Sequence, residues 1–360
     1  MSLIFGILKE VVDKRVSIVP KTCQQLTAAG IRVMVEAGAG AQAGFGDQDY
    51  QTAGGVVKTR KEVIEEVQFL LSIHPLPANE RQNIAKGTYL LSQFQPYFDK
   101  TIVGELKAAE LHAFSMDMIP RSTIAQRMDV LSSMANLAGH QAVLLASTTL
   151  PRFLPMMITA AGSIKPAKVL ILGAGVAGLQ AIATAKRLGA IVEAFDVRAA
   201  AKEEVQSLGG RFVEVEGATD DQDAGGYAVQ QTEAYKRKQA ETIHQHASAA
   251  DIIITTAQLR GRTAPILITA ETVAAMKPGS VIVDLAASTG GNCELTQDNQ
   301  TIVEHGVTII GNSNLAQDLA QDASVLYSNN VFNFLQVLIK EGELVVDMDN
   351  DIIKSTLITA

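Results

Sequence analysis

One run of residues constrains this chain more than any other: VLIL passes straight into Gly173-Ala-Gly175-Val-Ala-Gly178 and then into LQAIATAKRLGA. A strand, a glycine-rich turn and a helix in that order give each glycine a task. Gly173 permits the tight turn, Gly175 lets backbone approach a diphosphate, and Gly178 lets the helix pack close on the strand. The helix beginning near Val176 then offers free N–H groups and the positive end of its dipole to negative charge. Asp196 ends the next strand, IVEAFD, close to the expected spacing of about 20 residues. A carboxylate there accepts hydrogen bonds from ribose hydroxyls and repels a 2′-phosphate, which selects NAD(H) over NADP(H). Arg198, two residues later, is suited either to stacking on adenine or to softening that discrimination. Val176, Val197, Ala257, Leu259 and Asn292 complete the expected cofactor-contacting set. The competing reading gives the glycines only a tight turn in an α/β domain; strand, spacing, helix and acid together weigh against it.

The rest of the chain repeats the alternation. LIFGIL, IRVMVEAG, VQFLLSI, TYLLSQF and LHAFSMDMI are separated by segments such as KTCQQLTAAG and RQNIAKG, a pattern of βαβ units and a parallel sheet. The first strand ends in Lys9-Glu10 and not in glycines, so this part has a nucleotide-binding layout without the phosphate loop. Apolar residues at helical spacing predict one long helix from Ile124 to about Ser147. After Pro166 a second series follows: VLILGAG, IVEAFDV, RFVEVEG, DIIITTA, SVIVDLA and TIVEHGVTIIG. A further helical stretch, Leu315 to Lys340, is placed to return the chain to its first domain. The expected fold class is α/β, with two Rossmann-like, doubly wound parallel-sheet domains joined by long helices and a cleft between them. The expected domains are 1–131 plus 318–360, and 132–317 for NAD(H).

Composition excludes several classes. With 360 residues, 47% of them hydrophobic, the chain can fill two cores. A net charge of -8 with signs interspersed provides no basic face for nucleic-acid phosphates. Cys23 and Cys293 form no CxxC pair, so neither a disulfide framework nor a cysteine metal site is expected. The start, MSLIFGILKEVVDKR, has no basic n-region or cleavage site, and a cytoplasmic location is expected. Val169 to Ala185 approaches the roughly 20 apolar residues of a membrane span, but its three glycines mark it as strand, turn and helix.

Among polar residues, Arg121, Gln126 and Asp129 cluster beside the linking helix, and a nicotinamide carboxamide needs both donors and acceptors to fix its face. Helix capping with a surface ion pair explains the same residues, and Ser132 is equally an ordinary helix-surface serine. Tyr227 sits in a long segment dense in Gly, Asp, Thr and Gln, either a lid or a loop with an incidental tyrosine. The six histidines form no paired-ligand pattern; His244 and His246 would face apart on a helix, so no metal is expected.

KVLILGAGVAGLQAIATAKRLGAIVEAFDVRAAAKEEVQSLGGRFVEV resembles the second domain of the alanine dehydrogenase and transhydrogenase alpha-subunit superfamily. The resemblance extends through KE...KRVSIVP, PRSTIAQRMDVLSSMANLAGH, MKPGSVIVDLAASTGGNCELT and DASVLYSNNVFNFL. PRSTIAQRMDVLSS is similar to the transhydrogenase loop that holds dihydronicotinamide, which implies contacts from Arg121, Gln126, Asp129 and Ser132. EGATDDQDAGGYAVQQTEAYKRKQAE is similar to the loop that closes over NAD(H), with Tyr227 its first tyrosine. GGNCEL is like the GGNCPL of transhydrogenases. The alanine dehydrogenase site is largely absent: Arg15 remains, but the lysine strand reads LLSIHP, the histidine region LLSQFQP, and Ser288 falls in the place of the catalytic aspartate. Two departures from the transhydrogenase pattern stand out: His140 replaces a tyrosine, and GNSNLAQDLAQDAS lacks the usual Pro-Ser-Arg.

The resemblance implies the NAD(H)-binding component of a proton-translocating transhydrogenase, a homodimer. Its partners would be an NADP(H)-binding beta subunit and a membrane-spanning subunit, and it would sit peripherally on the cytoplasmic face of the inner membrane. Hydride passing between two nicotinamides needs positioning but no proton transfer, and the residues offer the positioning set without an acid and base. The alternatives are an NAD-dependent alanine dehydrogenase and a non-catalytic NAD(H)-sensing protein.

Overall fold

The computed structural model describes residues 3–215 and 232–360. The chain forms two compact units: Met1–Met134 with Gln317–Ala360, and Ala135–Ala316.

In the first unit, β1 (Ile4–Ile7), β2 (Arg32–Glu36), β3 (Val56–Lys58), β4 (Phe69–Leu71), β5 (Tyr89–Ser92) and β6 (His112–Ser115) form one sheet in the order β3-β2-β1-β4-β5-β6. Every pairing is parallel, with Phe5 opposite Val33 on one side and Phe69 on the other. Helices cover both faces of such a sheet, which is why its strands read as continuous apolar runs and not as alternation. Phe5 and Phe69 pack with ring centroids 4.9 Å apart, and Phe114 meets Phe334 edge-on at 5.6 Å. Phe334 lies on the helix Ala320–Leu338, which also fixes the chain after β1: Ser324 Oγ accepts the Val16 N–H at 3.0 Å and Ser328 Oγ the Val19 N–H at 3.1 Å. Two serines in a helix otherwise rich in apolar residues thus satisfy backbone donors that burial would leave orphaned.

The second unit repeats the plan. After a short exposed hairpin of β7 (Met157–Thr159) and β8 (Gly162–Ile164), the strands β9 (Lys168–Leu172), β10 (Ile191–Phe195), β11 (Arg211–Phe212), β12 (Ile252–Thr255), β13 (Val281–Asp284), β14 (Gln300–Glu304) and β15 (Val307–Gly311) form a sheet ordered β11-β10-β9-β12-β13-β15-β14. All pairings are parallel except at the β14 edge. There TIVEHGVTIIG, expected as one strand of the parallel series, folds back on itself. His305 (φ 52°) and Gly306 (φ 75°) are both left-handed, the conformation that tight hairpins require. The β7–β8 hairpin was not expected from the sequence either.

The long helix runs Val130–Thr149, later than the expected Ile124, and follows a 3-10 turn at Ala125–Met128. Asp129 explains the delay. Its carboxylate accepts from the Ser132 N–H (3.0 Å) and Oγ (2.6 Å), capping the helix at its start. The stretch from Leu315 likewise opens with a 3-10 turn, Leu315–Leu319, before its helix. No helix among the described residues is long and apolar enough to cross a membrane, and no group of three metal-ligating side chains occurs among them.

Candidate dinucleotide site

β9 lies where the strand order of the second unit reverses, beside β12, and the loops leaving the carboxyl ends of such strands form the usual crevice for nucleotides. Gly173 has φ 100°, and a Cβ there would lie 2.6 Å from Thr256 Oγ1 and 3.2 Å from Ala257 N. The loops after β9 and β12 are therefore in contact, and Thr256 Oγ1 donates to the Gly173 carbonyl at 2.9 Å. A Cβ on Gly178 would come within 1.8 Å of the Gly173 carbonyl oxygen, so the helix Val176–Arg187 rests directly on the turn. Gly175 is different: no described atom lies within 4 Å of where its Cβ would be. Nor does any side chain cap this helix, and Val176 is 39% exposed. The loop thus combines free N–H groups, a helix N-terminus and open space, which suits a diphosphate.

Two further positions, a glycine and a threonine, support the loop without having been expected. A Cβ on Gly139 would meet the Ala177 carbonyl oxygen at 2.1 Å, so the long helix seats itself against the first turn of the phosphate-facing one. A glycine interrupting a helix rich in alanine was the available signal. His140 Nδ1 lies 3.1 Å from Thr184 Oγ1 on that same helix, so this departure from the family pattern serves helix packing within the unit.

Asp196 follows β10 and accepts four hydrogen bonds. Ala174 N–H (2.8 Å) and Arg198 Nη2 (2.9 Å) donate to Oδ2; Arg198 N–H (2.9 Å) and Nε (2.9 Å) donate to Oδ1. Its carboxylate is thereby tied to the glycine turn and forked by Arg198, whose own proton is held more firmly chiefly through those side-chain bonds. Val197, Ala257 and Leu259 are half-buried around the loops. Asn292 is fully buried, its Oδ1 accepting from Ala257 N–H (3.0 Å) and its Nδ2 donating to the carbonyls of Ala257 and Pro265 (both 2.8 Å). It shapes the loop after β12 through these bonds. Behind it stands Asp284, a buried carboxylate at the end of β13 that sequence reasoning missed. It accepts from the N–H groups of Ala286, Asn292 and Cys293 and from Thr296 Oγ1. An aspartate ending a strand carries no sequence signal for such a role. Tyr227 lies outside the described residues.

The remaining candidates belong to the first unit. Ala125 and Met128 are buried and anchor the 3-10 turn, and Asn330 donates to the Arg127 carbonyl at 2.8 Å. Arg121 and Gln126 are exposed on this anchored turn, whereas Asp129 and Ser132 are bonded to each other at the helix cap. Arg15 is 5% exposed and forked on Asp13, with Nε 2.9 Å from Oδ1 and Nη2 2.5 Å from Oδ2. His74 Nε2 lies 2.8 Å from the same carboxylate. Burial alone would push the Asp13 carboxyl up, but these partners hold it well below the usual aspartate range. His244 and His246 diverge as expected, to Thr272 and to Glu193.

Residues 6–138 match the family described as alanine dehydrogenase/PNT, N-terminal domain, and residues 142–360 match its C-terminal domain. The chain is 41% identical over 357 residues to an NAD(P) transhydrogenase subunit alpha chain of Rhodospirillum rubrum, covering 96% of this chain and 93% of that one. It is 26% identical over 371 residues to the alanine dehydrogenase of Bacillus subtilis, covering 99% and 91%. The crystal structure of a transhydrogenase from Sinorhizobium meliloti superposes with a TM-score of 0.90 at 41% identity, covering 98% of this chain and 97% of that one.

Proposed function

This chain belongs to the alanine dehydrogenase/PNT family, and on that premise we propose that it is the NAD(H)-binding component of a nicotinamide nucleotide transhydrogenase, passing hydride between NADH and NADP+ held on a partner subunit. The observation that carries the choice within the family is the state of Arg15. An amino-acid dehydrogenase needs a free cation to anchor its substrate carboxylate, and a positioned acid and base. Here the one inherited cation is buried and already forked on Asp13.

The described residues fit a dinucleotide. The turn from Gly173 to Gly178 presents backbone N–H groups to the diphosphate, and Asp196 stands where the adenosine ribose is read. When bound, the nicotinamide supplies or accepts the hydride. Arg121 and Gln126 bond its carboxamide and select the exposed face, while the Asp129–Ser132 cap holds their loop in shape. Transfer between two such rings requires reacting carbons about 3 to 3.5 Å apart and no protein acid or base.

Coupling to proton translocation resides in a membrane-spanning partner, and the chain works peripherally on the cytoplasmic face of the inner membrane. A homodimer is supported by the β7–β8 hairpin and its approach, where Phe153, Met156 and Ile158 are 47%, 64% and 75% exposed, an apolar group that a second copy would cover. Sedimentation should give twice the 38.3 kDa chain mass.

Mixing the chain with an NADP(H)-binding partner and following reduction of an NAD analogue by NADPH tests the central reading. No transfer despite tight NADH binding defeats it and leaves a sensing protein. Partner-free turnover of pyruvate and ammonia with NADH would instead identify an alanine dehydrogenase.

A further inference from the structure

The ribose-reading carboxylate of the second unit is fully engaged before any ligand arrives. An ionised carboxylate offers about four acceptor positions. At Asp196 two are taken by the backbone N–H groups of Ala174 and Arg198, and two by Nε and Nη2 of the Arg198 side chain. The backbone donors belong to the glycine turn and to the segment after β10, and cannot leave without unmaking those turns. The guanidinium bonds can be exchanged. Arg198 is the outer partner, its side chain 28% exposed against 9% for Asp196, so it stands on the solvent side, from which a ligand comes.

We propose that Arg198 is a specificity-determining residue that competes with the ribose diol for Asp196, lowering the affinity for NADH while retaining a cation beside the 2′ position. The proposal rests on the dinucleotide reading above. A diol that replaces Nε and Nη2 gives Asp196 two hydroxyl donors in place of two cationic ones, so part of the binding energy is consumed in breaking the fork. The displaced guanidinium stays within reach of the ribose, because its backbone N–H remains bonded to Asp196 Oδ1. A 2′-phosphate meets both groups at once: repulsion from Asp196 and attraction to Arg198. The pair therefore sets two affinities in opposite directions.

Two variants separate these effects. Arg198→Gln shortens the side chain slightly and removes its charge; Asp196→Asn removes the carboxylate charge and frees the guanidinium. Titrations of NADH and NADPH, followed by nucleotide fluorescence, read the result, with thermal unfolding confirming that each variant is folded. For a partly exposed charged pair the expected change is about fivefold. Arg198→Gln should bind NADH about that much more tightly and NADPH correspondingly more weakly; Asp196→Asn should shift both in the reverse sense. A general loss of structure would weaken both nucleotides together and cannot imitate opposed shifts. If wild type binds NADH but Arg198→Gln binds it equally or less tightly, the competition is overturned while the cofactor reading stands. If wild type itself fails to bind NADH, the cofactor reading falls.

Discussion

Gly175→Ala separates the fold from the site more cleanly than any other single change. Its backbone, φ -76° and ψ -166°, is open to any L-residue, and no described atom lies within 4 Å of the added methyl. Replacing glycine by alanine in a compatible conformation chiefly restricts the unfolded chain, so stability should hold or rise by up to about 1 kcal/mol. The methyl nevertheless occupies the space through which a diphosphate reaches the helix N-terminus. Losing one charge-assisted bond to a backbone N–H costs about 1.5–3 kcal/mol, which corresponds to roughly 10- to 100-fold in Kd. The assay pairs a urea unfolding curve with an NADH fluorescence titration on the same preparation. An unchanged or higher unfolding midpoint together with lost affinity is the expected result. Wild-type NADH affinity in a fully folded Gly175→Ala would show that the diphosphate does not rest on this turn, and the placement of the cofactor would have to be abandoned.

Gly178→Ala should fail on both counts. Its methyl falls about 1.6 Å short of ordinary contact with the Gly173 carbonyl, so the helix must lift, costing about 1–3 kcal/mol of stability as well as NADH affinity. Asp13→Asn should destabilise by about 3–5 kcal/mol at neutral pH, because Arg15 is left buried beside an uncharged amide. The sign with pH follows from the lowered carboxyl: its contribution is present above the ordinary aspartate value of 3.8 and disappears as pH falls through the lower folded value. Unfolding curves in acid should therefore converge for wild type and variant, and parallel curves would refute the assignment. Burial pushes the Cys23 thiol up to about 11 and raises that of Cys293. Neither should react with Ellman's reagent at pH 8 in the native chain, and both should react in guanidinium; rapid labelling of the folded protein would contradict their burial.

What could be read from residue order alone was local. Glycines at 173, 175 and 178 between an apolar strand and a helix dictate a turn by steric rules acting over a few residues, and φ 100° at Gly173 is one such rule expressed. The alternation of strand and helix likewise determined a parallel, doubly wound architecture, because parallel neighbours need a crossover between them. The resemblance added which loop to examine, and Arg121 and Gln126 stand exposed on it. Only the tertiary structure decided which charges are available. Asp13 and Arg15 are neighbours in sequence, yet they become a buried fork only because the helix Ala320–Leu338, some 300 residues on, packs over the segment they begin. Asp284 and Asn292 acquire their loop-shaping bonds through contacts with strand ends and loops that no periodicity announces. The four bonds on Asp196 arise in the same way, from a turn and a strand end brought side by side. Steric preferences travel with the residue that has them, whereas burial and the pairing of charge belong to whatever the rest of the chain places alongside.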